Sequence, residues 1–152
     1  MQEMHHYDYT IGLPQRWIDA SVVVMVGPPN DNYSPSITIT RDYLDFAMSA
    51  SEYAANQLVG LKTELGGVGY RVVEEGTTTI GGLPAYQRLH TFQMPEGGFE
   101  ITQLQVYVVR GREAITITCT NLSQWFEQTR PLFAGALQQF RWHAASSGAE
   151  GR

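Results

Sequence analysis

The stretch WIDASVVVMVGPPN, residues 17–30, sets the terms on which the rest of the chain is read. Five consecutive apolar residues, Val22 to Val26, stand between Ser21 and the breaker Gly27-Pro28-Pro29, a short run rich in valine that reads as a strand. Side chains alternate along a strand, so Val22, Val24 and Val26 point one way while Val23 and Met25 point the other. A small antiparallel sheet ordinarily leaves one face to water, whereas this strand is apolar on both. Either two layers of protein sandwich it, or one face is kept for something apolar.

Working outward, a short strand is expected from about His6 to Leu13, with Pro14 and Trp17 leading into the valine run. GPPNDNYSPS is a turn-rich connection of Gly, Pro, Asn and Asp. SITIT, residues 36–40, then alternates: Ile37 and Ile39 share one face, Ser36, Thr38 and Thr40 the other, the pattern of a half-buried strand. In ASEYAANQLVGLKTEL, Ala54, Leu58, Leu61 and Leu65 fall on one helical stripe, and Ser49 three residues before Glu52 supplies a capping box. The helix is expected from about 50 to 65, ending at Gly66-Gly67. Gly60 inside it costs about 1 kcal/mol against alanine, which points to close packing there.

Residues 69–120 read as four strands joined by hairpin-length turns, an antiparallel meander. In the last segment Asn121 or Ser123 can cap a helix whose buried face holds Leu132, Phe133, Leu137 and Phe140, and Pro131 either opens or kinks it. These elements add up to an α+β domain, an antiparallel sheet of about six to seven strands with flanking helices. One domain over residues 1–143 and a small polar tail, AASSGAEGR over 144–152, account for the chain.

Composition narrows the function classes. With 43% apolar residues the chain is a folded globular protein. The net charge is −5 with only 10 Lys and Arg and no basic run, which argues against a phosphate-tracking surface and so against nucleic acid. The single cysteine, Cys119, excludes an internal disulfide framework and, in AITITCT, reads as a small buried apolar residue. MQEMHHYDYTIGLP lacks a basic segment followed by an apolar one, and no window approaches about 18 apolar residues, so a cytoplasmic protein without a membrane anchor is expected.

No constellation points to catalysis. His5-His6 and Glu74-Glu75 are neighbours on strands, where adjacent side chains diverge, and a solvated role suffices for each pair. The glycine pairs at 66-67, 81-82 and 97-98 lack the strand-turn-helix setting of a phosphate loop. Ser21, Ser36 and Ser123 have no nucleophile-elbow setting, and His90 has no evident partner. The expectation is a non-enzyme with no catalytic residue, cofactor or metal. The sheet surface is the unusual feature: in ITQLQVYVV one face carries Ile101, Gln103, Gln105, Tyr107 and Val109, the other Thr102, Leu104, Val106 and Val108. Both are more apolar than water alone asks for, which leaves open a fully sandwiched sheet or an apolar face dotted with glutamine and kept for a partner.

The order of motifs resembles the DcrB-like domain, whose fold is the α/β/α sandwich shared with the photosystem subunit PsbP and a Ran-binding nuclear import protein. The residues carrying the resemblance are the run Leu13, Pro14, Trp17, Asp19, Ser21; the strand ending in Arg41-Asp42; Tyr53 with Gln57-Leu58; Gly82 and Ala85; and Gln105-Val106. The resemblance covers about residues 5–142. Within that group the chain most resembles the Eag chaperones of bacterial type VI secretion, small cytoplasmic dimers that hold the N-terminal transmembrane helices of toxin effectors beside their PAAR domain. The resemblance implies a client groove using Val22 and Val24 on the strand, Gln57 and Leu65 on the helix, and Ile101 and Gln105 on the long strand. It also implies a homodimer and an effector partner with a PAAR domain.

Physical chemistry makes that expectation sensible. A transmembrane segment of about 20 apolar residues aggregates in water, and burying it at roughly 25 cal/mol per Å² supplies a large driving force. Glutamine suits such a groove because its amide can meet backbone or small polar groups without the cost of burying a charge. The alternative is a non-enzymatic scaffold or regulatory module of the same fold contacting a folded partner, marked by a well-sealed sheet. A small-molecule binder or enzyme would be marked by a closed cavity with convergent polar groups.

Overall fold

The computed structural model describes residues 2–5 and 8–143. His6 and Tyr7 in the first expected strand lie outside the described residues, as does the tail from residue 144. Around that gap, β1 (Gln2–His5) and β2 (Thr10–Leu13) pair as a two-stranded antiparallel sheet of their own. The valine run forms β3 (Val23–Val26), one residue shorter than its apolar stretch, and SITIT opens the longer β4 (Ser36–Tyr43). Helix α1 (Ala50–Leu65) follows, then the meander β5 (Arg71–Ile80), β6 (Leu83–Gln93), β7 (Glu100–Arg110) and β8 (Glu113–Leu122), and finally α2 (Ser123–Gln138).

Strands β3 to β8 form one antiparallel sheet in the order β3-β4-β8-β7-β6-β5, with α1 on one face and α2 on the other. This is the expected α+β sandwich, with six strands in the main sheet. Because β4 pairs with the last strand of the meander, α1 has to carry the chain across the sheet to β5 at the far edge. The β5–β6 turn closes on Gly81 and Gly82, both left-handed at φ +56° and +82°, as a two-residue hairpin loop of this hand requires.

The capping box at the start of α1 is complete: the Ser49 hydroxyl accepts from the Glu52 N–H at 3.1 Å, and the Glu52 carboxylate accepts from the Ser49 N–H at 2.9 Å. Helix α1 ends at Leu65 with Gly66 as its C-cap, as expected. Gly66–Val68 then form a separate 3₁₀ turn, and the left-handed residue beyond it is Gly69 at φ +73°. Gly60 departs from the expectation of close packing, since no heavy atom lies within 4 Å of where its Cβ would stand.

At α2 neither expected cap acts as one. The helix follows Leu122 without a side-chain cap, and Ser123 is its first residue, bonded through its hydroxyl to Thr102. Asn121 is instead wholly buried: its amide nitrogen donates to Asn30 Oδ1 and Thr129 Oγ1, and its oxygen accepts from the Leu122 N–H. Pro131 lies inside the helix rather than at its start. Phe133 is buried and Leu137 and Phe140 lie against the core, whereas Leu132 points to solvent.

The core has two unequal layers. On the α2 face, Leu104, Val106 and Val108 of β7 and Ile115, Ile117 and Cys119 of β8 pack with Phe126 and Phe133. Burial pushes the Cys119 thiol up to about 12, so it is an inert packing residue. On the α1 face the layer is smaller, with Tyr53, Ala54, Tyr107 and Ala114 at its centre.

Candidate functional site

A helix with its side chains is about 10 Å across and strands lie about 4.8 Å apart, so one helix covers little more than two strands. Helix α1 lies over β6 and β7. On its face of the sheet α1 reaches β8 at Ala114 and β4 through the Tyr53–Asp42 hydrogen bond, while the rest of β8, β4 and the edge strand β3 lie beyond the width of one helix. The edge strand carries the consequence: Val22 to Val26 are all between 47% and 65% exposed. The valine run is thus neither sandwiched nor core on one side and open on the other; it is open on both.

Strand register defines what this open half presents. Val24 lies opposite Thr38, Thr38 opposite Thr118, Thr118 opposite Gln105 and Gln105 opposite Arg88. The neighbouring row runs Val26, Ser36, Thr120, Gln103, His90. On the other side lie Thr40, Thr116, Tyr107 and Tyr86, and Val22 precedes Val24 by two residues on the same face. The half beside the helix accordingly has an aliphatic rim on β3, a hydroxyl floor on β4 and β8 that is half-buried at Ser36, Thr38 and Thr118 and buried at Thr120, and an amide wall on β7 beside the helix. No charged side chain enters the first two rows until Arg88.

Behind the wall, two polar chains run beneath α1. Arg88, only 2% exposed, donates through Nη1 to the Ala54 carbonyl at 3.1 Å and to the Tyr107 hydroxyl oxygen at 3.3 Å, and through Nε to Glu75 at 3.1 Å. Tyr107 donates in turn to Gln105 Oε1, and the Gln105 amide nitrogen donates to Thr118 Oγ1 at 3.1 Å. In the second chain His90 Nδ1 is 3.0 Å from the Tyr70 hydroxyl, His90 Nε2 is 2.8 Å from Gln103 Oε1, and Gln103 Nε2 donates to Thr120 Oγ1 at 3.2 Å. Burial, with the Arg88 charge adding to it, holds the His90 imidazole below its ordinary range. Burial likewise pushes Tyr70 up to about 12, so its hydroxyl stays protonated.

Val22 and Val24 stand on the exposed rim, and Gln105 is half-buried three strands away on the Val24 row. Gln57 is half-buried on α1, one turn after Tyr53, whose hydroxyl reaches across to Asp42 on β4 at 3.0 Å; that side of the helix borders the open half. Leu65 is half-buried at the end of α1, where its carbonyl accepts from the Tyr70 N–H, close to the His90 chain rather than to the valine rim. Ile101 shares the face of Gln105 but is 1% exposed. Sequence reasoning put Ser36, Thr38 and Thr40 on one strand face, but it missed the β8 threonines 116, 118 and 120 that continue the floor and the chain behind it. His90, which has no evident partner in the sequence, is flanked by Tyr70 and Gln103; alternation of R-L-H against Q-L-Q held the signal, but only the hairpin register pairs them.

Elsewhere, Glu74 and Glu75 diverge as strand neighbours do, but neither is merely solvated. Glu74 meets Arg130 of α2 at 3.4 Å, and Glu75 meets Arg88 and the Tyr86 hydroxyl on the other face. On the α2 face an apolar notch of about 210 Å³, lined by Met25, Ile37, Leu132 and Phe133 among others, carries no charged side chain. Among the described residues no group of three or more His, Cys, Asp or Glu could hold a metal ion, and no helix is long and apolar enough to cross a membrane.

The family model for DcrB matches residues 9–139. No curated protein matches the chain by sequence. Among solved structures, a Pseudomonas aeruginosa protein of unknown function, PA94, put forward as a regulator, superposes with a TM-score of 0.80 at 20% identity, over 94% of this chain and 97% of that one. The cyanobacterial PsbP of Synechocystis sp. PCC 6803 gives 0.56 at 10% identity over 72% and 68%. LpqN of Mycobacterium tuberculosis, involved in cell envelope biogenesis, gives 0.51 at 15% identity over 91% and 87%. At these identities the structural likenesses speak to the fold.

Proposed function

The chain belongs to the DcrB family, and from that premise we propose that it is a cytoplasmic chaperone that shields the apolar N-terminal transmembrane helices of a type VI secretion effector carrying a PAAR domain. It acts as a homodimer and performs no chemistry. The observation that carries this reading is the open half of the sheet beside α1. From β8 to β3 it spans two strand spacings, about 10 Å, the width of one helix. A rim of exposed valines, an uncharged hydroxyl floor and an amide wall suit an apolar helix lying there in the place a third layer would take. An exposed apolar edge strand is otherwise a liability that folds blunt with charge or proline, and β3 holds neither.

Co-expression with the N-terminal segment of the effector encoded beside it, followed by affinity purification and light scattering, tests the proposal. A soluble complex holding two copies of this chain is the expected result. Aggregation of the segment while this protein elutes alone overturns it.

A second reading takes its support from the description of PA94 as a regulator: a non-enzymatic scaffold or regulatory module that contacts a folded partner. It predicts binding of a folded domain and indifference to apolar helices.

A further inference from the structure

On the face of the sheet away from α1, the end of α2 builds a second concave site. Past Gln138 the chain runs over the β5–β6 hairpin and lays Trp142 on Gly81, with Leu137 and Phe140 packed against the core beneath. Between this stretch and the hairpin lies a cavity of about 620 Å³, with Thr79, Gly81, Gly82, Gln138, Arg141 and Trp142 on its walls. Arg141 is its only charged residue, and none of the ion pairs among the described residues engages that guanidinium. The N–H groups of Gly81 and Gly82 lie beyond the β5–β6 ladder, which ends at the Ile80–Leu83 pair. Trp142 supplies the sharpest observation. Its indole Nε1 is the one buried side-chain nitrogen or oxygen that has no hydrogen-bond partner among the described residues.

A buried donor without an acceptor is costly, and in folded proteins such an atom calls for an ion, a water or a ligand to explain it. Arg110 lies 4.1 Å over the centre of the same indole ring, and it holds Glu113 only at 3.9 Å because Arg41 has that carboxylate at 2.8 Å. The uncompensated N–H and the charges of Arg110 and Arg141 thus add to a positive potential around the cavity. Two of the closing carbonyls of α2, those of Ala136 and Leu137, do little against it, since they already accept from the Gln139 and Phe140 N–H groups. We propose that this cavity binds a small organic anion, a carboxylate or phosphate group carried on an apolar body. Arg141 offers its guanidinium fork to two of the anion's oxygens, and the Thr79 hydroxyl and Gln138 amide supply neutral donors. Gly82, left-handed at φ +82° with no heavy atom within 4 Å of its Cβ position, leaves the backbone open to close approach. Leu137 and Phe140 face the apolar part of the ligand. The site lies on the opposite face from the slot, so it neither needs nor blocks a client there.

The test follows ¹⁵N–¹H spectra of the full chain during titration with phenyl phosphate, with phenylacetate and with uncharged benzyl alcohol. The Trp142 indole and Gly82 backbone N–H resonances are expected to move and saturate with an anion, which should bind about tenfold or more tightly than the alcohol. The tighter of the two anions then tells a phosphate ligand from a carboxylate one. Arg141→Gln, at an exposed position, should weaken the anion about tenfold while the rest of the spectrum stays in place. Trp142→Phe keeps an aromatic ring without the N–H and should also weaken it, read at Gly82. If Trp142→Phe does not fold, Arg141→Gln decides. Resonances that stay in place with both anions, an alcohol that binds as well as they do, or unchanged anion affinity in Arg141→Gln overturns the inference and leaves the chaperone reading standing.

Discussion

Val24 and Gln105 stand on one transverse row of the sheet, linked through Thr38 and Thr118 across three strand spacings, about 14 Å. One end of the row is aliphatic and open to solvent; the other is an amide anchored by Tyr107. A helix laid along the strands between them would touch both.

Val24→Glu therefore separates folding from function. Val24 is 58% exposed, so the thermal midpoint should stay within a few degrees, while a carboxylate turned onto an apolar client costs several kcal/mol and should lower client retention about a hundredfold or more. Val22→Glu should behave alike. Calorimetry and co-purification read the two effects, and a variant that fails to fold would place these side chains in the core.

Glu75→Ala removes the carboxylate that Arg88 and Tyr86 share. Arg88 is buried and loses one of its partners, whereas Glu75 is over a third exposed, which screens the pair. A loss of about 1–3 kcal/mol in urea unfolding is expected, below the full cost of breaking a sealed pair.

His90 makes the fold acid-sensitive in a defined window. Its folded pKa is depressed, so the unfolded chain binds a proton first as pH falls below about 6.5. Stability from this group is complete above that pH and is lost as pH drops toward the folded value. The urea midpoint should decline between pH 7 and pH 5, and the decline should shrink in His90→Gln.

The two glycines with opposite surroundings give opposite signs. Gly60→Ala should stabilise by about 0.5–1 kcal/mol, because the helix gains propensity and a Cβ meets nothing within 4 Å. Gly81→Ala should destabilise by more than about 1 kcal/mol, because φ is +56° and its Cβ would stand 2.7 Å from the Trp142 indole nitrogen. Thermal unfolding of both variants checks the pair.

Cys119 should resist alkylation by iodoacetamide in the native protein at pH 8 and react within the unfolding transition, since burial both hides the thiol and pushes it up to about 12.

Much of this molecule was decided locally. The α1 capping box, the hairpin turns of the meander and the two-period alternation of SITIT and ITQLQVYVV depend on neighbours within a few residues, so the strands, the helix start and the sharing of a face by Gln103, Gln105 and Tyr107 were all legible in the chain. The opening question, which face of Val22 to Val26 is covered, was not. Its answer follows from β4 pairing with β8, seventy or more residues away, which sends the valine strand to the edge and α1 to the other half of the sheet. The partners of Arg88 and His90 were hidden for the same reason: hairpin register and helix docking bring Glu75, Tyr107, Tyr70 and Gln103 to them from separate elements. Short-range geometry settles each element from its own residues, whereas the open slot and the pairing of its amides arise only when distant strands meet in register.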